Sequence, residues 1–266
     1  MKQPKARIHF TDKYLLQPAN PVTVNLIGCG GTGSQMLTAL ARINQSLIAL
    51  QHAGIFVRVF DDDIVTKANV GRQLFASTEI GFPKAEVLSS RINRFFGTNW
   101  KGYAVQFNKK IFESLTECSA NITITCVDNV NSRFEISKML SKSAKNNRYR
   151  RDKICYWMDF GNSRNTGQVI LATVGNIDQQ KSKKFIPVNN LPVPTEEFKE
   201  LFEASSDDTT PSCSLAEALT KQDLFINSSL ANVGASLLWN LFREGMIQYR
   251  GFFMNLKDFR TAPIPV

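Results

Sequence analysis

The stretch Val22-Thr-Val-Asn-Leu-Ile-Gly28-Cys-Gly30-Gly31-Thr-Gly33-Ser34 is an apolar run that stops in a glycine cluster and is followed by a long helical pattern. It reads as a buried strand, a tight turn and a helix start. In such an arrangement Gly28 allows the turn, Gly30 lets a phosphate approach the backbone and Gly33 lets helix and strand pack closely. The N–H groups of the first helical turn then face the anion. The alternative is an ordinary glycine-rich turn, because a lone Gly-x-Gly-x-x-Gly is a weak signal.

The flanking residues add to the cradle. Residues 35–49 carry Met36, Leu37, Leu40, Ile43, Leu47 and Ile48 at helical spacing, which predicts a helix covering one sheet face. Residues 54–60 form a second apolar strand ending in Asp61-Asp62-Asp63. In a doubly wound fold that strand end lies beside the cradle, where a carboxylate accepts both hydrogen bonds of a ribose diol; Asp61 is the candidate, and a turn cap is the alternative. Next come Asn69, Arg72 and Gln73 close together, then Gly81-Phe-Pro-Lys84 and a helix over 85–96. A lysine just after proline at a helix start is placed to reach phosphate. A third strand, 120–127, ends in Asp128-Asn129, and a helix follows; Asp128 also suits an N-cap.

Further strands are expected over 153–160 and 165–174. Residues 175–211 are irregular, acidic from Glu196 to Asp208, and read as a long crossover with a short helix over 196–202. Cys213 lies at its end, ahead of a helical segment that could lower its pKa; simple packing is the alternative. An apolar helix over 227–243 and a final strand over 249–256 close the chain. The organisation expected is an N-terminal arm (1–21), a core (22–175), the crossover (176–213), and C-terminal helices and strand (214–266) completing the same domain.

Composition narrows the function classes. With 266 residues and 43% hydrophobic content, a sizeable core is available. No run approaches the roughly 18–20 apolar residues that cross a bilayer, and the first residues lack a signal-peptide core, so a cytoplasmic protein is expected. Five cysteines without a Cys-x-x-Cys pair suggest neither a disulfide framework nor zinc. With His9 and His52 as the only histidines, a transition-metal centre and a histidine-dependent hydrolase are both disfavoured. Part of the net charge of +9 gathers at Lys138, Lys142, Lys145, Arg148, Arg150, Arg151 and Lys153. Without interleaved aromatics this reads as a solvated face or a surface for an acidic partner, and nucleic acid is not expected.

Taken in order, Gly28-Cys-Gly30-Gly31-Thr-Gly33, Asp61-Asp-Asp63, Asn69-x-x-Arg72-Gln73, Gly81-x-x-Lys84 and Asp128-Asn129 resemble the adenylating domain of the ThiF/MoeB and ubiquitin-activating enzymes. Segments such as Pro211-Ser-Cys-Ser-Leu, Leu224-Phe-Ile-Asn and Phe253-Met-Asn-Leu-Lys are most similar to the ThiF-related proteins of the bacterial PRTRC systems. The match runs over nearly the whole chain from Val22. It implies a Rossmann-like, doubly wound, mostly parallel α/β sheet with mixed C-terminal strands.

The resemblance also implies an activity: ATP-dependent adenylation of the C-terminal carboxylate of a small ubiquitin-like carrier protein ending in glycine, with release of pyrophosphate. Arg72 and Lys84 would bind the triphosphate, Asp128 the magnesium, and Asn69 and Gln73 would orient polar groups; Asp63 and Asn129 belong to the same nucleotide-binding set. Cys213 matches the crossover region that carries a thioester cysteine in ubiquitin-activating enzymes. A homodimer is implied as well. Some relatives send an N-terminal arginine to ATP, but the residues around Arg7 match that pattern poorly. The zinc-binding cysteine pairs of some members are missing. Two other readings stay open: an NAD-binding oxidoreductase, although Asp61 lies beyond the usual roughly 20-residue separation and no hydride-transfer set appears, and a non-catalytic nucleotide-binding adaptor for a small acidic protein.

Overall fold

The computed structural model describes residues 5–114, 118–144, 152–204 and 215–266. All six residues of β2 (Val22–Ile27) are buried, as a strand covered on both faces requires. Val22, Val24 and Leu26 point into one core and Ile27 into another. The first core is roofed by α2 (Gly31–Ala49), α3 (Lys84–Phe96) and α9 (Ile226–Arg243). The second is covered by α4 (Lys109–Ser114) and α5 (Val130–Ala144). Helices on both faces make the architecture doubly wound.

The central sheet also contains β3 (Ile55–Phe60), β4 (Lys101–Tyr103), β5 (Ile122–Thr125), β6 (Tyr156–Asn162), β7 (Thr166–Thr173), β10 (Tyr249–Asn255) and β11 (Arg260–Pro265). Its order is β11-β10-β7-β6-β5-β2-β3-β4. The run from β6 to β4 is parallel, whereas β7, β10 and β11 pair antiparallel. After β2 the chain moves outward to β3 and β4 and then returns to β5 on the other side of β2. That reversal opens a crevice beyond the carboxyl ends of β2 and β5, where such folds bind ligands.

The N-terminal arm is built into the molecule. Within it, β1 (Arg7–Phe10) pairs with β8 (Ile186–Pro187) and β9 (Met246–Ile247) in a second, three-stranded sheet, and α1 (Lys13–Leu16) follows. His9 is buried and bridges the Val188 carbonyl at 2.7 Å and the Tyr156 hydroxyl at 2.9 Å. Arg7 donates from Nε to the Val266 carbonyl, away from the crevice.

Several boundaries differ from the sequence reading. α2 starts at Gly31 rather than residue 35, because Gly30 serves as its N-cap. β6 starts at Tyr156, and Lys153 instead leaves the strand line to meet Asp12 at 3.3 Å. The crossover holds β8 and two short helices, α6 (Pro194–Glu197) and α7 (Lys199–Ala204), before α8 (Leu215–Lys221). β10 is not the last strand, since β11 follows it. Among the described residues no helix is long and apolar enough to cross a membrane.

Candidate functional site

The crevice is a cleft of about 470 Å³ at the carboxyl ends of β2, β3, β5 and β6. Its floor is the glycine loop. Gly28 adopts φ +89, and a Cβ there would stand 2.7 Å from the Cys126 carbonyl oxygen, so no other residue fits without strain. A Cβ at Gly33 would stand 1.9 Å from the Gly28 carbonyl oxygen, which is why helix and strand can approach so closely. At Gly30 the nearest neighbour of an added Cβ is Gln73 Nε2 at 3.9 Å. That glycine leaves open space on the cleft side, the property a phosphate-binding backbone needs.

Asp61 closes the loop from the end of β3. Its Oδ2 accepts from the Cys29 N–H, and its Oδ1 accepts from the Asp63 N–H at 3.0 Å. Burial raises its pKa, and the neighbouring Lys84 opposes that rise. The carboxylate therefore braces the cradle, and each oxygen keeps a further lone pair for a ligand.

Two cations flank this floor. Lys84 is buried at the start of α3, with Nζ 2.7 Å from Asp63 Oδ2. Arg72 lies outside regular secondary structure and donates from Nη1 to Gln222 Oε1 at 2.8 Å. Its Nε is buried without a partner among the described residues, and burial lowers the guanidinium pKa. Gln73, also buried, presents an Oε1 with no partner among the described residues. Buried donors and acceptors left this way are costly unless a ligand completes them.

The opposite wall is the turn from β5 into α5. Asp128 is exposed there, and Asn129 Oδ1 accepts from the Ser132 N–H at 3.1 Å, capping the helix. Arg133 holds this turn in place. It donates from Nη2 to the Val127 and Phe160 carbonyls and from Nε to Asp159 Oδ1 at 3.2 Å. Asp159 is wholly buried and its pKa is raised by burial, with Arg133 opposing. Among the described residues no group of three or more His, Cys, Asp or Glu is arranged so that it could hold a metal ion. A magnesium ion that arrives with a nucleotide needs only one or two carboxylates besides the phosphates, and Asp128 on the cleft wall fits that requirement.

The structure thus brings Gly28, Gly30, Gly31, Asp61, Asp63, Arg72, Gln73, Lys84, Asp128 and Asn129 to one cleft, with Gly33 packed directly beneath it. Asn69 stands behind the wall, where its Oδ1 accepts from the Thr66 N–H and hydroxyl. Cys213, the acidic stretch beyond residue 204 and most of the basic segment (145–151) lie outside the described residues. Burial pushes the thiols of Cys29 and Cys126 up and that of Cys155 up to about 12, so none of these three is poised as a thiolate.

The lining residues that went unnoticed as site residues in the sequence include Thr32, Asn162, Gln222 and Asn227. Thr32 Oγ1 and Asn162 Nδ2 donate to Asn227 Oδ1 at 2.8 and 2.6 Å, and Asn227 Nδ2 donates to Gln222 Oε1 at 2.8 Å. Gln222 and Asn227 are five positions apart around the start of α9, a spacing with no common motif to flag it.

The family model described as the ThiF family matches residues 4–263. The chain belongs to the ThiF family. No curated protein matches it in sequence. Among solved structures, the fold is similar to selenomethionine PaaA, at 14% identity and a TM-score of 0.60 over 95% of this chain and 65% of that one. It is also similar to Escherichia coli MccB with ATP (14% identity, TM-score 0.56, 94% of this chain and 64% of that one). A third match is E. coli MccB with AMPCPP and selenomethionine MccA (14%, 0.57, 94% and 65%). The chain therefore spans about 65% of these relatives' length, and at this identity the likeness establishes the fold.

Proposed function

We propose that this ThiF-family protein uses ATP to adenylate a carboxylate, that of the C-terminal glycine of a small ubiquitin-like carrier protein. The observation that carries the reading is Arg72: a half-buried guanidinium whose partner is a neutral amide, facing a glycine cradle with Lys84 on its flank. Such a cation retains its full charge for an anion, and a polyphosphate lying along the loop supplies one. The MccB structures that carry ATP, and AMPCPP with MccA, support a nucleotide and a peptide-sized partner on this fold.

In this reading a carboxylate oxygen attacks the α-phosphorus of ATP. A new P–O bond forms, the α–β phosphoanhydride breaks, and the electron pair leaves with pyrophosphate. The nucleophile is already ionised at neutral pH, so no general base is required, and His9 and His52 take no part. What the chain must do is orient the triphosphate and neutralise its developing charge. The backbone N–H groups at the start of α2 meet the phosphates, while Arg72 and Lys84 neutralise them. Gln73 and Asp61 offer an amide oxygen and a carboxylate to the nucleoside side. Asp128 would hold magnesium, which supplies charge neutralisation when bound. A later step belongs to Cys213: its thiolate attacks the acyl carbon, a thioester forms and AMP leaves. Within the family the chain groups most naturally with the PRTRC type, as a cytoplasmic homodimer.

Pyrophosphate release from Mg-ATP tests the reaction, using glycine-terminated carrier proteins and peptides, each as free carboxylate and as carboxamide. Release with the carboxylate and none with the carboxamide is expected. Release indifferent to amidation, or binding of NAD in place of ATP, would overturn the assignment.

A further inference from the structure

We propose that Gln222 and Asn227 are positioning residues that aim Arg72 at the phosphate site. This rests on the phosphate-binding role given to Arg72 above. Arg72 stands between two short 3-10 turns, so no regular element sets its rotamer, and among the described residues Gln222 Oε1 is its hydrogen-bond partner. That oxygen also accepts from Asn227 Nδ2, and two donors converging on it fix which end of the Gln222 amide faces the guanidinium.

Asn227 is fixed by the same logic. Its Oδ1 accepts from Thr32 Oγ1 and Asn162 Nδ2. Reversing the amide would set one NH2 group against another. The donors and acceptors are therefore ordered: Thr32 and Asn162 donate to Asn227, and Asn227 and Arg72 both donate to the Gln222 oxygen. A cradle glycine is shaped around this chain: a Cβ at Gly31 would stand 2.4 Å from Asn227 Nδ2. Gly31 thus makes room for a side chain from α9 as well as for a ligand.

The chemistry of position 222 matters as much as its geometry. A carboxylate there would also hold Arg72, but it would form an ion pair and cancel the charge that the phosphate must find. A neutral amide orients the cation and leaves it positive. Because Gln222 directly follows α8, the downstream end of the crossover is tied to the phosphate site through this one side chain.

The test is calorimetric binding of a non-hydrolysable ATP analogue with magnesium, and melting without ligand, for the wild type, Arg72→Ala, Gln222→Glu, Asn227→Asp and the doubles with Arg72→Ala. Gln222→Glu and Asn227→Asp preserve shape. Each is expected to weaken analogue binding about tenfold or more, consistent with loss of a charge-assisted contact, and to add nothing once Arg72 is alanine. Wild-type affinity in both variants, or losses that add to that of Arg72→Ala, would overturn the proposal while leaving the adenylation reading intact. Should the wild type bind no analogue, that reading fails, and melting decides the positioning role. Non-additive shifts between Arg72→Ala and Asn227→Asp, which do not touch, support it; additive shifts overturn it.

Discussion

Gly30, the N-cap of α2, and Gly33, in its first turn, are three residues apart and are glycines for different reasons. At Gly33 an added methyl would collide with backbone at 1.9 Å, and neither partner is a movable side-chain end. Gly33→Ala should therefore cost at least about 1–3 kcal/mol of stability, the usual range for an overpacked site, read from urea unfolding. At Gly30 the methyl meets nothing closer than 3.9 Å. Gly30→Ala should keep the wild-type midpoint and lose nucleotide affinity; a changed midpoint with unchanged affinity would reverse the two roles. Asp159 makes a prediction about pH. Its folded pKa lies above the ordinary 3.8, so between those two values the native state binds more protons than the unfolded chain, and stability falls as pH rises. From about pH 4 towards neutral, the wild type should lose stability relative to Asp159→Asn in urea midpoints; a flat difference would contradict the burial argument.

At the scale of elements, what could be read from sequence was what is local. β2, the loop and α2 are contiguous, and their period-2 and period-3.6 patterns need no distant partner to be recognised. β11 could not be read this way because Pro263 and Pro265 break a strand pattern, and they are tolerated since β11 is an outermost strand of the sheet. β1 is four residues long and acquires meaning by pairing with β8 and β9, far away in sequence. The Thr32-Asn162-Gln222-Asn227 chain was hidden for the same reason: its members come from α2, β6, the α8 end and α9, and the topology alone joins them. The arm carries a prediction of its own. Burial lowers the pKa of His9 below its ordinary 6.5, so the unfolded chain binds the proton more readily, and acidification should loosen the arm. Urea midpoints should fall between about pH 7 and pH 5 in the wild type and fall less in His9→Gln; equal falls would remove His9 as the cause.

For the whole molecule, the eight-stranded sheet turns a set of residues scattered from Gly28 to Asn227 into one cleft with cations on one side and a carboxylate on the other. The folded state alone assembles this set, so a ligand that completes it must raise stability by RT ln(1 + [L]/Kd). The most direct measurement is a thermal-shift titration with Mg-ATP and, separately, with NAD, on the wild type and on Asp128→Ala. At a hundredfold excess over Kd, a gain of about 2.7 kcal/mol, or roughly 5–10 °C for a chain of this size, is expected with Mg-ATP. NAD should give no shift, and Asp128→Ala should give a smaller one with Mg-ATP. A shift with NAD and none with Mg-ATP would contradict the account, leaving the fold in place and its chemistry to be assigned again.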